Sequence, residues 1–523
     1  MRLMTLAVFL IFISGVVLIE TGRGQYVAQT SISLEEVIAT KGLDVLFCSY
    51  FGGDGEEWSN DIYCCTDGSF VLTGMTRSSG LPVVNAHQEE YRGGGDAFIV
   101  KLNPQYQVEF YTYFGGSGLE EPMALLVDAY GYIIVAGGTS SDNLTVLNPI
   151  QEELNGPSDA FLAKFSSNGT LIFSTYFGGN ESDRIEDIVL DFNGNYVIVG
   201  STESADFFTS PGAYQESFGG GNSDVFITSM GSENHSIISS TFFGNTTADD
   251  AWAVGIDATG DLVIVGMTNG DAVATDSAYQ QTYGGGLTDC FVAKFTSDCS
   301  SLYWSSLLGG NGWEFGDQVG FDSSNNIVVS GYTGSSDFPL ENQLQNNTAA
   351  YDAFFAKLSG NGDSLLLSSY LGGNLEDRSY AMEVLPGDAI LITMPTASTD
   401  MPTVNPFQQN CSGGTDGYIA LIRGETPSVA FGSYFGGQMN DYVLGMSIAG
   451  GNIAVIGYTS SDDLPTLRAV QDEYGGGMSD TMVWIFSPPP VSLGSPILLE
   501  ILITVVVVVV VLLIIGYSLR KRS

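Results

Sequence analysis

Basic residues are what this chain most lacks. Of its 523 residues only 16 are Lys or Arg, against 59 Asp or Glu, for a formal net charge of -43. A nucleic-acid binder needs a basic footprint for the phosphate backbone, and no stretch supplies one. Docking on anionic lipid headgroups is disfavoured on the same ground. Histidine is almost missing: His87 and His235 are the two present. Neither stands beside a Ser or Cys nucleophile pattern, and a zinc centre needs more ligands than the sequence clusters. Cysteine is sparse too. Cys48, Cys64, Cys65, Cys290, Cys299 and Cys411 are too few for a disulfide framework in a body of this size. Charged residues total only 14%, so the acidity reflects missing Lys and Arg rather than acidic tracts. Apolar residues are not in deficit: 44% hydrophobic and 11% aromatic content excludes a disordered chain.

The two ends read as membrane signals. Arg2 precedes an apolar run from Leu3 to Ile19, which makes residues 1–24 an export signal, cleaved or retained as an anchor. Residues 25–42 form a lead-in. The run Ile497–Gly516 is interrupted only by Glu500 and Thr504, and Val505–Val511 is unbroken valine. A helix of that length spans about 30 Å, the hydrocarbon thickness of a bilayer. This predicts a transmembrane helix over 497–517, a Pro-rich stalk over 488–496 and a basic cytoplasmic tail over 518–523. Arg520, Lys521 and Arg522 set the orientation: a single-pass protein with its body outside the cell and its C-terminus inside.

Between the ends lies a repeat. Ser49-Tyr50-Phe51-Gly52-Gly53 recurs with near-copies beginning at Thr112, Thr175, Thr241, Ser306, Ser369 and Ser433. Seven copies of about 64 residues fill 43–487, so a domain count from length gives way to a repeat architecture. Within a copy, alternating aromatic and β-branched residues predict four strands, in the first copy Val45–Phe51, Asp61–Cys65, Phe70–Met75 and Ala97–Leu102. Four short strands per copy with Gly-rich turns predict an all-β, seven-bladed β-propeller of four-stranded blades. The third-to-fourth segment, about twenty residues long, reads as the crossover between blades. Ring closure is expected where Thr481–Phe486 meets Val45–Phe51.

The compound motif of Tyr-Phe-Gly-Gly, Asp-x-x-Gly-Asn, Ser335-Ser336-Asp337-Phe338-Pro339, a triple glycine and Asp96-Ala97-Phe98-x-x-Lys101 resembles the seven-bladed beta-propeller repeat of bacterial and archaeal surface proteins. The resemblance covers roughly 43–487 and implies fold and surface location, but no reaction. Copies five and six depart most: Thr348-Ala349-Ala350 replaces the triple glycine, and Leu385-Pro386-Gly387-Asp388 replaces the usual turn between the second and third strands.

Aligning the copies exposes positions that keep their type. An acid follows the Gly-Gly pair at Glu57, Glu120, Asp183, Asp249, Glu314, Asp377 and Asp441. A Thr ends the third strand, a Gln sits in the long segment, and an Asp opens the fourth strand at Asp96, Asp159, Asp224, Asp289, Asp352, Asp416 and Asp480. All fall on the long-loop face. The first acidic set suits calcium, which takes six to eight oxygens. The second reads as a hydrogen-bonded network inside each blade. Residues that break the repeat are the better ligand-binding candidates: Trp58, Trp252 and Trp313 lie beside the acid of copies one, four and five. Cys48 is a candidate disulfide partner of Cys64 or Cys65 in an oxidising exterior.

The expectation is a non-enzymatic binding, adhesion or envelope module presenting its long-loop face to an extracellular protein or glycan. The alternatives are an extracellular hydrolase or lyase at the loop-face end of the axial channel, and a calcium-stabilised structural ring.

Overall fold

The computed structural model describes residues 33–270, 273–346 and 349–489, with the backbone of two further strands, Val16–Glu20 and Tyr26–Thr30, paired antiparallel. Seven four-stranded antiparallel sheets follow one another around a ring. The chain is a seven-bladed β-propeller. In the first blade Glu57–Cys64 is innermost, followed by Phe70–Thr76, Asp96–Leu102 and Val108–Phe114 at the rim. The last blade is built from both ends of the body: Asp441–Ala449, Asn452–Thr459 and Asp480–Ser487 come from the seventh copy, and Asp44–Phe51 supplies the rim strand. Thr481 pairs with Phe51 and Phe486 with Val45, which closes the ring where the sequence placed closure.

The phasing of copies into blades differs from the expectation. The long segment between the third and fourth strands does not leave its blade. It folds back along the rim strand, where Val84 bridges Tyr111 and Gln88 bridges Tyr113. The motif tyrosine fixes it there: the Tyr113 hydroxyl donates to the Ser78 carbonyl at 2.8 Å and accepts from the Leu81 amide at 2.9 Å. This segment covers an outer edge that would otherwise offer unpaired backbone to another chain. The crossover is instead the short Gly-Gly link between the first and second strands of a copy. A blade therefore holds the second, third and fourth strands of one copy and the first strand of the next.

Gly-Gly makes that crossover possible. Gly115 sits between the carboxylates of two blades, and a Cβ there would come within 2.4 Å of Glu120 Oε2 and 2.7 Å of Asp96 Cγ. Its amide donates to Gln88 of the blade it leaves at 3.0 Å, and the Gly116 amide donates to Glu120 of the blade it enters at 2.9 Å. Apolar packing joins neighbouring sheets in the same way. Phe98, Val100 and Tyr111 of the first blade share a core with Ala454, Ile456 and Val483 of the last.

The lead-in contains a helix, Leu34–Lys41, that the sequence reading missed; its Ile38 packs with Leu385, Ala389 and Phe431 of the sixth blade. The transmembrane helix placed at 497–517, the basic tail and all but the start of the stalk lie outside the described residues. So does the export signal, apart from the strand backbone at Val16–Glu20. Among the described residues no helix is long and apolar enough to cross a membrane.

Gly115→Ala is expected to destabilise the ring by about 1–3 kcal/mol through overpacking between two carboxylates. Gly80→Ala, where an added Cβ meets nothing within 4 Å, should stay within about 0.5 kcal/mol of the parent. Equilibrium urea unfolding of the two variants measures the difference.

Candidate functional site

The repeated acids are consumed by the fold. All seven acids that follow the Gly-Gly link are buried. Glu57 is representative: its carboxylate accepts from the Thr76 hydroxyl at 2.6 Å and from the Gly53 amide at 3.0 Å. The Thr76 oxygen in turn accepts from the Ser78 amide at 2.9 Å, which directs the hydroxyl proton to the carboxylate. The same Thr-to-acid bond joins Thr139 to Glu120, Thr333 to Glu314, Thr396 to Asp377 and Thr459 to Asp441. Asp183 accepts from Gly179 and Ser204, and Asp249 from Asn245. These are seven separate sites, one per crossover, not a ring converging on a shared cation. Among the described residues no group of three or more His, Cys, Asp or Glu is placed to hold a metal ion.

The second acidic set is hydrogen-bonded inside the blades. Asp96 accepts from Gln88 at 2.7 Å and from the Arg92 amide at 3.1 Å. Gln151, Gln215, Gln280, Gln408 and Gln471 bond in the same way to Asp159, Asp224, Asp289, Asp416 and Asp480. In the fifth copy, where the triple glycine is lost, the Gln345 amide donates to the Gly372 carbonyl instead at 2.8 Å. Asp352 of that copy accepts from the Ala349 amide.

What differs between blades is gathered at the axis. Six inner strands carry a β-bulge one turn of the pleat below the acid, between Ser59 and Asp61, Pro122 and Ala124, Ile185 and Asp187, Ala251 and Ala253, Gly316 and Gln318, and Val443 and Gly445. A bulge re-aims one side chain out of the sheet. Here the re-aimed residues are Asn60, Met123, Glu186, Trp252, Asp317 and Leu444. Tyr380 takes the place in the sixth blade, whose inner strand is shortened to Ala381–Val384. All seven line one axial cavity of about 410 Å3. The ring is regular, and its lining is not.

No known family's sequence profile matches the chain. A segment of it is similar to the regulatory protein FlaEY of Caulobacter vibrioides, 25% identical over 233 residues, which is 42% of this chain and 24% of that protein. The chain thus spans about a quarter of the length of that curated relative. Among solved structures it is similar to a Dyadobacter fermentans protein of unknown function at a TM-score of 0.41 and 10% identity, over 86% of this chain and 99% of that one. It is similar to BamB of Moraxella catarrhalis at 0.38 and 7%, over 85% and 99%. A polysaccharide lyase, an ulvan lyase of family PL25, matches at 0.39 and 11%, over 78% and 92%.

The three tryptophans occupy three different environments. Trp58 directly follows the acid, is 41% exposed and leans on Tyr458 with ring centroids 6.2 Å apart. Trp313 directly precedes the acid, is equally exposed and meets Tyr351 edge-on at 6.1 Å. Trp252 is a bulge residue that stacks on Phe315 at 5.0 Å, and Phe315 stacks on Tyr332 at 4.7 Å. Tyr442 stacks on Tyr458 at 4.9 Å, so aromatic contacts recur from the fourth blade round to the first, and of these rings Trp252, Tyr332 and Tyr380 line the cavity. The second and third blades contribute charge instead, Glu121, Arg184 and Glu186, with Arg184 2.5 Å from Glu186.

The cavity acids were missed in the sequence because only the strand register distinguishes them. Asp61 and Asp187 reach sideways to the next inner strand, accepting from the Leu125 and Val254 amides at 2.8 Å each. Burial nonetheless pushes the Asp61 carboxyl up to about 8 and that of Asp187 to about 6. Burial likewise raises Glu186 and Glu383 to about 7, and Asp317 well above the carboxylate range. A visible signal existed: the third residue after the repeated acid changes type in every copy.

The cysteine pairing does not form. Cys48 lies in the rim strand of the last blade and Cys64 in the inner strand of the first, so they belong to different sheets, and Cys65 is likewise a free thiol. The pairing had assumed that the first two strands of a copy are hairpin neighbours. His87 is exposed on the long segment, and His235 stacks on Phe173 at 3.8 Å; neither reaches the axial cavity.

Stability should fall as pH rises. Burial raises Asp183, Asp249, Asp377 and Asp441 to about 6 and Asp96, Asp224 and Asp480 to about 7. The folded chain then holds more protons than the unfolded chain from about pH 4 upward, so this contribution is complete below about pH 4 and is lost through pH 6–7. Thermal unfolding at pH 5 and pH 8 is expected to give the higher midpoint at pH 5. A flat or rising profile contradicts the assignment.

Proposed function

We propose that this chain is a recognition module of the cell exterior, tethered by its C-terminal apolar segment, which binds an extracellular glycan or protein at the long-loop mouth of its axial cavity. The observation that carries this reading is the separation of roles between repeated and unrepeated positions. The repeated polar residues are used up inside the blades, while the unrepeated ones converge at one cavity mouth bordered by aromatic rings. Stacked and exposed Trp and Tyr offer large contact area with polar tips, which suits sugar rings and extended peptides. The export and anchor signals of the sequence support an outward placement of this face.

A second reading is favoured by the cavity acids. A carboxyl that stays protonated near neutral pH can act as a general acid, and two carboxyls across a cleft are the working parts of a glycosidase. Turnover of a polysaccharide by the chain, abolished in Glu383→Gln, would favour this hydrolase or lyase reading.

A glycan and cell-surface binding screen tests the first. Trp58→Ala and Trp313→Ala are each expected to weaken binding about tenfold or more, as losses at central aromatic contacts do. Tyr130→Ala, 78% exposed on a tight turn of the opposite face, should leave binding unchanged. Equal effects from all three would overturn the placement of the site.

A further inference from the structure

The axial cavity contains more carboxyl groups than its own cations match. Five carboxyl side chains line it, Asp61, Glu186, Asp187, Asp317 and Glu383, and Arg184 is the one basic residue among the lining. Arg184 is committed to Glu186 at 2.5 Å, with Glu121 at 4.0 Å. Arg378, at the edge of the cavity, lies 5.2 Å above Tyr332 and 5.4 Å above Tyr351 and leans on Glu376 at 3.4 Å. Asp61 and Asp187 are held by backbone amides of the neighbouring blade. Asp317 has no such amide: its Oδ2 is buried without a hydrogen-bond partner among the described residues, and the charge that acts on it is that of Arg378, which is shared with Glu376 and the tyrosine rings. Glu383 stands in the same wall, likewise without a side-chain partner there.

The wall around these acids is aromatic. Trp252, Tyr332 and Tyr380 face the same cavity, and the Tyr332 and Tyr380 rings meet edge-on at 6.1 Å. A buried carboxylate without a partner is costly. Two remedies exist, protonation or a cation, and ring faces beside carboxylates are the surroundings in which an ammonium group binds best. A hard divalent ion is a poor match, since among the described residues no three acids are close enough together to coordinate one. A cavity of about 410 Å3 also exceeds what a bare ion fills.

We propose that the axial cavity binds an organic ammonium group, a protonated amine or quaternary ammonium carried by a small ligand or by one end of a larger one, with Asp317 and Glu383 as counter-charges and Trp252, Tyr332 and Tyr380 as the ring wall. This rests on the reading of the cavity mouth as a recognition site and names the chemistry of what enters it.

Titration calorimetry of the full-length chain with spermidine and with choline at about pH 8, where ordinary carboxyls are ionised, provides the test. Tryptophan emission is followed in parallel. The expected result is saturable binding of at least one of them, near one site per chain, with an emission change that Trp252→Phe removes. Asp317→Asn and Glu383→Gln should each weaken binding about tenfold, the loss of one charge-assisted contact. Both variants should unfold at a temperature no lower than the parent, which separates loss of binding from loss of fold. No saturable binding of either amine, or affinity unchanged in both variants, overturns the proposal. Glycan or surface binding that depends on Trp58 but occurs without amine binding overturns the ligand class alone and leaves the site standing. Surface binding that ignores Trp58 overturns the site itself.

Discussion

Each blade is joined to the next by a glycine lodged between two buried carboxylates. Gly52 is held between Asp480 and Glu57, and Gly115 between Asp96 and Glu120; in both places a Cβ would fall inside the contact distance of the acids. The two acids belong to different sheets, so the link fixes the step from one blade to the next. It also explains why the acids never change type. Thr76 and Gly53 bind Glu57, and Gln471 joins Asp480 to the Gly52 amide at 3.0 Å, so one arrangement ties the acids of both blades to the crossover and leaves Asp480 Oδ1 as the buried oxygen without a hydrogen bond. Like charges so close together in a dry setting raise each other, and Glu120 contributes to the raised Asp96 after burial itself. The sevenfold acidity of this face is therefore largely structural and partly protonated near neutral pH.

That constraint also shows what the sequence made legible. The period, the strand count and ring closure all follow from local patterns: alternation within strands, turn residues between them, and equal copies end to end. Which strands share a sheet did not follow. Loop length suggested that twenty residues leave a blade and five stay within it, and the reverse holds. Five residues suffice to cross because the Gly52 and Gly53 amides are held by Gln471 on one side and Glu57 on the other, while the long segment is pinned to the rim by Tyr50, whose hydroxyl donates to the Ser461 carbonyl at 2.9 Å. The tyrosine was plain in the motif, but a hydroxyl's partner in a distant loop is a tertiary fact. The same error of phase produced the Cys48 pairing.

The candidate site was legible in a different sense. Trp58 and Trp313 stood out because they broke the repeat, and both are exposed beside the crossover acids, while Trp252 is the one of the three that lines the cavity. Asp317 and Glu383 did not stand out, in a chain with 59 acids. What sets Asp317 apart is the bulge, a two-against-one register between neighbouring strands that no single strand records, whereas Glu383 sits opposite Leu391 in regular register and is marked out by the cavity alone. Composition pointed to acids everywhere, and only pairing shows which of them face a shared space.

A ring of equal blades cannot by symmetry alone distinguish one ligand from another. Six of the seven blades offer the axis the same bulged strand, so recognition must come from the few positions where side chains differ. The bulge supplies such a position without disturbing the pairing on either side of it: Ser59 still faces Gly74 and Asp61 still faces Thr73, whatever stands at residue 60. Mutation there changes the cavity and leaves the crossover clamps intact. Stability and recognition are in this way carried by different residues of the same strand. The acid that opens the strand holds two blades together, and the residue three places further on decides what the axis presents. Of the 59 acids, fourteen are locked in the crossovers and five line the axis, where Arg184, the one basic residue of the lining, pairs with Glu186.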